Sequence, residues 1–395
     1  MTDTAFRRLD AVITDDVARG RIPGAVSLVW HGGRVVHHSA IGVRDPEAAA
    51  PMALDSIFRI YSMSKPIVSV ALMMLVEEGR VQLSDRIAQH LPEFEGAAVG
   101  VERRTAAGAT VLDRVPLDDA HAPTLHDLLR HTAGLTYGIF GDSALKAAYR
   151  AAAVERSSID NAEFSRRIAA MPLAFRPGTL WEYSRATDVI GALIERVSGQ
   201  TLGNFLQQRI FGPLEMVDTA FCVQGAALQR VAQPFAVDPD SGASQQLLNV
   251  TRAPVFESGG GGLVSTAADY LRFCRMLLGE GRLDGTRLLS AHTVRLMTRN
   301  HVDADVIRAS TVPGATTEYL PGAGYGFGLG FAVRLEDGLA PNAGAAGDYH
   351  WSGIGGTYFW IDPRNGLIAI WLMQAPGQRQ HYRSLIKNLV YAALD

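Results

Sequence analysis

The sequence predicts an α+β protein: an antiparallel sheet flanked by helices, carrying an inserted, mostly helical domain. Three observations predict it. A helical apolar spacing near the start is followed by two strand-like runs joined at a Gly-Gly turn. The end of the chain returns to strands and finishes on an amphipathic helix. The middle third reads as helix and loop with few strand signals. A helix leading into antiparallel strands argues against a doubly wound sheet. Residues 1–80 and 263–395 then form one sheet-bearing domain built from both ends. Residues 81–262 form a mainly helical domain, with a cleft between the two.

Taken in order, Phe6, Leu9, Val12, Ile13 and Val17 recur at helical spacing, and Gly20 ends that helix. Pro23-Gly24 turns the chain into a strand over 25–30. His31-Gly32-Gly33-Arg34 is the hairpin turn into a strand over 35–41. Phe58-Arg59-Ile60 closes a strand, and a buried helix then carries Ile67, Val68, Val70, Leu72 and Leu75 as far as Gly79. Pro66 fits only in the first turn of that helix, where its missing N–H is not needed. Further helices are expected from about 83 to Pro92, over 124–130 with Thr124 as cap, and over 160–171, 188–197, 202–211 and 267–278. Strands follow over 325–333, 357–361 and 367–374. Asp362-Pro363-Arg364-Asn365-Gly366 is a hairpin connection, and the last helix covers 380–394.

Composition excludes several classes. The chain of 395 residues is 47% hydrophobic and 19% charged, an ordinary globular balance. A net charge of −3 argues against nucleic acid as a main partner. No apolar run reaches the length of a membrane span. The first residues lack a secretory layout, so cytoplasmic residence is expected. Cys222 and Cys274 read as buried thiols, and no Cys/His spacing suggests a metal. No cofactor is expected. His37-His38 reads as exposed strand, and the oligomeric state is not encoded.

The chemistry centres on Ser62-Met63-Ser64-Lys65. Ser62 stands at the positive end of an apolar helix, where developing negative charge is favoured. Lys65, three residues on, shares its face at roughly 5–6 Å between Cβ atoms. A hydroxyl and an ammonium so placed suit a serine nucleophile activated by lysine. The motif needs context, because all three lysines of this chain follow a serine by three residues. Ser143 reads as a helix cap before Lys146. Ser384 and Lys387 read as the solvent face of the last helix. Only Lys65 sits in the first turn of a strongly apolar helix, where burying an ammonium is costly.

Lysine alone is an awkward base, with a reference pKa of about 10.4. Tyr183, in the loop Pro177-Gly178-Thr179-Leu180-Trp181-Glu182-Tyr183-Ser184-Arg185, offers a second proton acceptor. One unit charge at about 4 Å is worth ~4 kcal/mol at an effective dielectric of 20, enough to hold a phenol partly ionised. The residues alone favour a core tyrosine with a hydrogen-bonded hydroxyl, since ten other tyrosines exist.

These blocks resemble the serine β-lactamase / penicillin-binding-protein superfamily, and most closely its class C-like esterases, the family VIII carboxylesterases. The resemblance is carried by Ser62-Met63-Ser64-Lys65, Tyr183-Ser184-Arg185 and His350-Trp351-Ser352-Gly353. His131-Thr132-Ala133-Gly134-Leu135 and Gly260-Gly261-Gly262-Leu263-Val264-Ser265-Thr266 support it. It implies a β-lactamase-like fold and a small-molecule ester substrate. Ser62 would be the acylated nucleophile, Lys65 would tune it, and Tyr183 would be the general base. The backbone N–H groups of Ser62 and Ile354 would form the oxyanion hole. Trp351, Ser352 and Gly353 would take the place of the family's Lys-Thr-Gly segment beside the substrate, with Arg185 and Tyr137 nearby.

Two departures matter. Trp351 replaces the lysine that serves the substrate carboxylate in lactamases, and Arg185 replaces an asparagine. A cleft that loses a cation and gains an indole should favour neutral, apolar acyl groups, with β-lactamase activity weak at most. The expected activity is hydrolysis of short to medium acyl esters through an acyl-serine. Acyl transfer, or cleavage of D-amino-acid amides and peptides at the same residues, is the alternative, and a silent acyl-ligand binder the remaining one. Gly-x-Ser-x-Gly is absent, which excludes the α/β-hydrolase elbow. Gly259-Gly260-Gly261-Gly262 reads as a tight packing turn and not a phosphate cradle. The alternation Gly324-x-Gly326-x-Gly328-x-Gly330 suggests close approach of another backbone or a ligand. Loops around 137–140 and 302–321 are expected to shape the pocket.

Overall fold

The computed structural model describes residues 4–154, 158–310 and 322–394. Its centre is an antiparallel sheet of eight strands. These are β1 (Gly24–His31), β2 (Arg34–Asp45), β3 (Ala50–Pro51), β4 (Tyr325–Phe327), β5 (Ala332–Arg334), β6 (Tyr349–Ser352), β7 (Tyr358–Asp362) and β8 (Leu367–Met373). They lie in the order β4-β5-β6-β7-β8-β1-β2-β3. The two ends of the chain thus meet in one sheet, with Ala25 opposite Met373 and His31 opposite Leu367.

Period two decides what each face covers. Leu367, Ala369, Trp371 and Met373 of β8 pack with Phe6, Leu9, Ile13, Tyr382, Ile386 and Val390. Those partners come from the N-terminal segment with helix α1 (Arg7–Ala18) and from the C-terminal helix (Arg379–Tyr391). Ile368, Ile370 and Leu372 point the other way, into the main core with α2 (Ser64–Glu77). A strand buried on both faces reads as a continuous apolar run, which explains Leu-Ile-Ala-Ile-Trp-Leu-Met. Every residue of α2 from Ser64 to Leu75 is buried. Truncating one of its large apolar side chains to alanine should cost about 2–5 kcal/mol. That burial fixes the helix whose first turn carries Lys65.

Among the described residues, 81–262 add no strand to this sheet. They hold short helices, α3 (Ala186–Ser198), and a hairpin that the sequence did not announce. Its strands, Ala98–Arg104 and Thr110–Pro116, pair around Gly108, whose φ is +81°. Their tips are exposed and charged, so they lack the apolar alternation that marks a strand. The expected helix over 202–211 stops at Leu206 and continues as a π turn, Gln207–Phe211. The strand expected over 325–333 is two strands, β4 and β5, folded back at Gly330, whose φ is +98°. The glycines there admit backbone, as the alternation suggested: a Cβ on Gly328 would overlap the carbonyl oxygen of Met297.

Three further expectations are corrected. His37 is buried, its Nε2 2.8 Å from the Ser27 hydroxyl, because β2 lies under the N-terminal helix. Cys222 is half-buried in a loop, whereas Cys274 is fully buried. Lys387 is completely buried rather than solvent-facing. Its Nζ lies 2.8 Å from Asp348 and 2.9 Å from the Tyr325 hydroxyl, both supplied by distant segments. Among the described residues, no helix is long and apolar enough to cross a membrane.

Candidate active site

Ser62 lies in a single 3-10 turn, Tyr61–Met63, that opens directly into α2. Tyr61, just before it, holds φ at +44°, a left-handed conformation costly for a bulky residue. Its surroundings hold it there. The Tyr61 hydroxyl accepts a hydrogen bond from the Leu248 N–H at 2.9 Å. A Cβ on Gly355 would lie 2.7 Å from the Tyr61 ring, so only glycine lets that segment close on it.

Lys65 is 1% exposed. Its Nζ donates to the Gly260 carbonyl at 2.6 Å, to the Tyr137 hydroxyl at 3.0 Å and to Ser62 Oγ at 3.4 Å. Those three acceptors match the three N–H bonds of an ammonium. The ring of Tyr183 lies across the same nitrogen, its centre 4.6 Å from Nζ. A cation over an aromatic face is itself favourable, more so when shielded from water.

Tyr183 precedes α3 and is held from several sides. The Glu182 N–H donates to the His131 carbonyl at 3.1 Å, and the Ser184 hydroxyl sits 3.1 Å from His131 Nδ1. Burial, and then the Lys65 charge, hold the His131 imidazole well below its usual range, so it stays neutral. The Thr136 hydroxyl donates to the Glu182 carboxylate, which also pairs with Lys146 at 3.3 Å. Thr136 adjoins Tyr137 and Glu182 adjoins Tyr183. That contact therefore brackets the two phenols, whose rings are 5.4 Å apart.

The glycine turn is a packing element, as expected, but it also serves Lys65. Asp188, fully buried, accepts from the Gly260 N–H at 2.8 Å and the Ser258 hydroxyl at 2.6 Å. It pairs with Arg185 at 3.2 Å. A Cβ on Gly260 would stand 2.7 Å from the Asp188 carboxylate. Arg185 thus spends charge on Asp188 and stacks on the Tyr137 ring at 4.7 Å.

On the opposite wall, β6 presents Trp351 and Ser352. The Trp351 ring packs 5.4 Å from Tyr183 and 5.3 Å from Phe327. Gly353 and Thr357 press on Ile60, two residues before Ser62. The Thr357 hydroxyl donates to the Ile60 carbonyl at 3.2 Å, and a Cβ on Gly353 would overlap that oxygen. Ser62 and Ile354 consequently line one cleft, together with Tyr137, Tyr183, Arg185, Trp351 and Ser352. Its volume is about 990 Å³.

The other two Ser-x-x-Lys runs do different work. The Ser143 side chain caps a helix, accepting from the Lys146 N–H at 3.1 Å. Ser384 is exposed at the cleft's edge while Lys387 is buried behind it. Of the two expected pocket loops, Tyr137, Ile139 and Phe140 line the cleft, and Ser310 accepts a bond from the Trp181 N–H at 2.8 Å. Residues 311–321 lie outside those described. Sequence reading missed Asp188 and the stretch from Leu248 to Phe256 that forms part of the wall. The i, i+3 pair Arg185–Asp188 was a signal for the first; the second has no periodicity to find.

An antiparallel sheet over a buried helix that begins Ser-x-x-Lys defines the serine-hydrolase scaffold of the β-lactamase type. The family model described as Beta-lactamase matches residues 9–392, and the chain belongs to that family. Its likeness extends to the esterase and penicillin-binding-protein-like members. Protein Rv1367c of Mycobacterium tuberculosis is 35% identical over 90% of this chain and 86% of its own. Esterase EstB of Burkholderia gladioli is 30% identical over 98% of this chain and 95% of its own. Among solved structures, EstCE1, described as a hydrolase with promiscuous acyltransferase activity, superimposes with a TM-score of 0.80. It is 26% identical, and the match covers 99% of each chain.

Proposed function

We propose that this chain is a serine carboxylesterase acting on esters of short to medium acyl chains. The observation that carries the proposal is Lys65 Nζ, which contacts Ser62 Oγ and the Tyr137 hydroxyl beneath the ring of Tyr183. The site lies between a sheet-bearing domain, 1–80 and 263–395, and a helical one, 81–262.

Tyr183 accepts the Ser62 proton as Oγ attacks the ester carbonyl carbon. Lys65 Nζ, 4.6 Å from the centre of the Tyr183 ring, supplies the positive charge beside the phenol during that transfer. The N–H groups of Ser62 and Ile354 hold the oxyanion, a contribution typically of a few kcal/mol. The carbon–oxygen bond to the alcohol breaks, and Tyr183 returns the proton to the leaving alkoxide. Water then gives a proton to Tyr183 as its oxygen attacks the acyl-serine; the bond from the acyl carbon to Oγ breaks, Tyr183 returns the proton to Ser62 Oγ, and the carboxylic acid leaves. Trp351, Ser352, Arg185 and Tyr137 line the acyl and alcohol sites, and Gly353 packs that segment against Ile60.

With Trp351 where lactamases place a lysine, short-chain p-nitrophenyl esters should turn over far faster than nitrocefin. The reverse ranking would contradict the proposal. Acyl transfer to an alcohol is the second reading, favoured by a cleft of about 990 Å³ that can admit an acceptor beside the acyl group. The likeness to EstCE1 supports it too. Adding an alcohol and comparing ester with acid product separates the two.

A further inference from the structure

Given the ester-hydrolysing site proposed above, we infer that its substrates carry a negative charge at the end remote from the reacting carbonyl, read by Arg252 at the mouth of the cleft. The charge distribution points there first. Among the described residues, no aspartate or glutamate lines the cleft, although the chain carries 40 of them and a net charge of −3. The lining includes Arg185, Arg252 and Arg383, while burial, and then the Lys387 and Arg383 charges, keep His350 on the same wall neutral. The two acids adjoining wall residues turn away from it. Glu182, beside Tyr183, engages Thr136 and Lys146. Glu257, beside Phe256, accepts from the Gly203 N–H at 2.7 Å. A wall of one sign over apolar surroundings focuses its field into the cleft and concentrates ligands of opposite charge.

The three arginines are not equivalent. Arg185 is committed to Asp188, and Arg383 donates to Gln380 at 3.3 Å. Arg252 is exposed and forms no ion pair among the described residues. It stands on the wall with apolar groups that are themselves open to solvent: Val255 is 61% exposed, Ile139 55% and Leu248 39%. Trp351 and Tyr183 keep the inner end apolar. A neutral ester at Ser62, an apolar body along the wall and an anion at Arg252 satisfy every part of this lining at once. The anion belongs either to the far end of the acyl chain or to the alcohol, and both present the same charge to the mouth.

The test compares three esters: p-nitrophenyl butyrate, the p-nitrophenyl half-ester of glutaric acid, and 4-butyryloxybenzoate. The first is neutral, the second charged on its acyl group, the third on its alcohol. In the wild type, kcat/KM for one charged ester should exceed that for the neutral one, and about 0.5 M salt should remove the advantage. In Arg252→Gln that charged-to-neutral ratio should fall about three- to fivefold, the upper part of the range of an exposed ion pair. Arg252→Glu should lower it further, and Arg252→Lys should restore it. Whichever charged ester responds identifies the end that bears the anion. Ratios unchanged across the variants, or equal for all three esters, would overturn the inference. Turnover of none of them, with Ser62 unreactive, would overturn the ester-hydrolysing site and this inference with it.

Discussion

Lys65 Nζ donates a hydrogen bond to the Tyr137 hydroxyl at 3.0 Å. The sequence placed Tyr137 among substrate-binding residues. The structure makes it a direct partner of the buried lysine, opposite the face of Tyr183. Two phenols therefore share one cation.

The two should separate on mutation. Tyr183→Phe removes the proposed proton acceptor and should lower kcat/KM for p-nitrophenyl butyrate by about 10²–10⁴. Tyr137→Phe removes a ligand of Lys65 and should cost less, about tenfold, with an altered pH–rate profile. Equal losses, or a larger loss for Tyr137→Phe, would reassign the base.

Gly353 faces the Ile60 carbonyl so closely that a Cβ would overlap it. Gly353→Ala should push the segment bearing Ile354 away from Ser62 and cost about 10²–10³ in kcat, the scale of a lost oxyanion donor. Circular dichroism should stay native. Full activity in the folded variant would remove Ile354 from the oxyanion hole.

Sequence and structure agree where a physical rule acts over a short stretch. Ser62 and Lys65 are three residues apart at the start of an apolar helix, and that spacing alone puts them together. The strands of β1, β2, β7 and β8 are marked by their apolar runs and Gly-rich turns. Tyr137 sits in a loop with no periodicity, so its contact with Lys65 depends on chain closure over 72 residues. Lys387 shows the converse error. A charge on a helix reads as solvent-facing until Asp348 and Tyr325 arrive from another part of the chain.

That buried pair has a measurable consequence. Lys387→Met leaves Asp348, fully buried, with Arg334 at 3.6 Å as its one remaining cation among the described residues, beside the Tyr325 hydroxyl at 3.2 Å. The loss should be about 3–5 kcal/mol of unfolding free energy by urea titration. Replacing both partners, Lys387→Met with Asp348→Asn, should recover part of it. A single variant as stable as wild type would contradict the reading of Lys387 as charge-paired.

His126 and His301 join residues far apart in the chain, with Nε2 and Nδ1 2.9 Å apart. His301 donates its Nε2–H to the Leu296 carbonyl at 2.8 Å, so the shared proton belongs to His126. Burial, then Arg130 and His301, push His126 down to about 4. Unfolded imidazole titrates near 6.5, so between about pH 6.5 and 4 the unfolded chain binds more protons. This contribution to stability is complete above that window and is lost as pH falls through it. His126→Gln should therefore lose less stability between pH 7 and pH 4.5 than wild type, read as urea midpoints. Identical losses would exclude the pair as a source of acid sensitivity.

The most direct test is to incubate the folded protein with a fluorophosphonate and map the adduct by peptide mass spectrometry. The account predicts a single label on Ser62, abolished in Ser62→Ala and strongly slowed in Tyr183→Phe. An unlabelled Ser62 in folded protein, or a label on Ser143 or Ser384 instead, would contradict it.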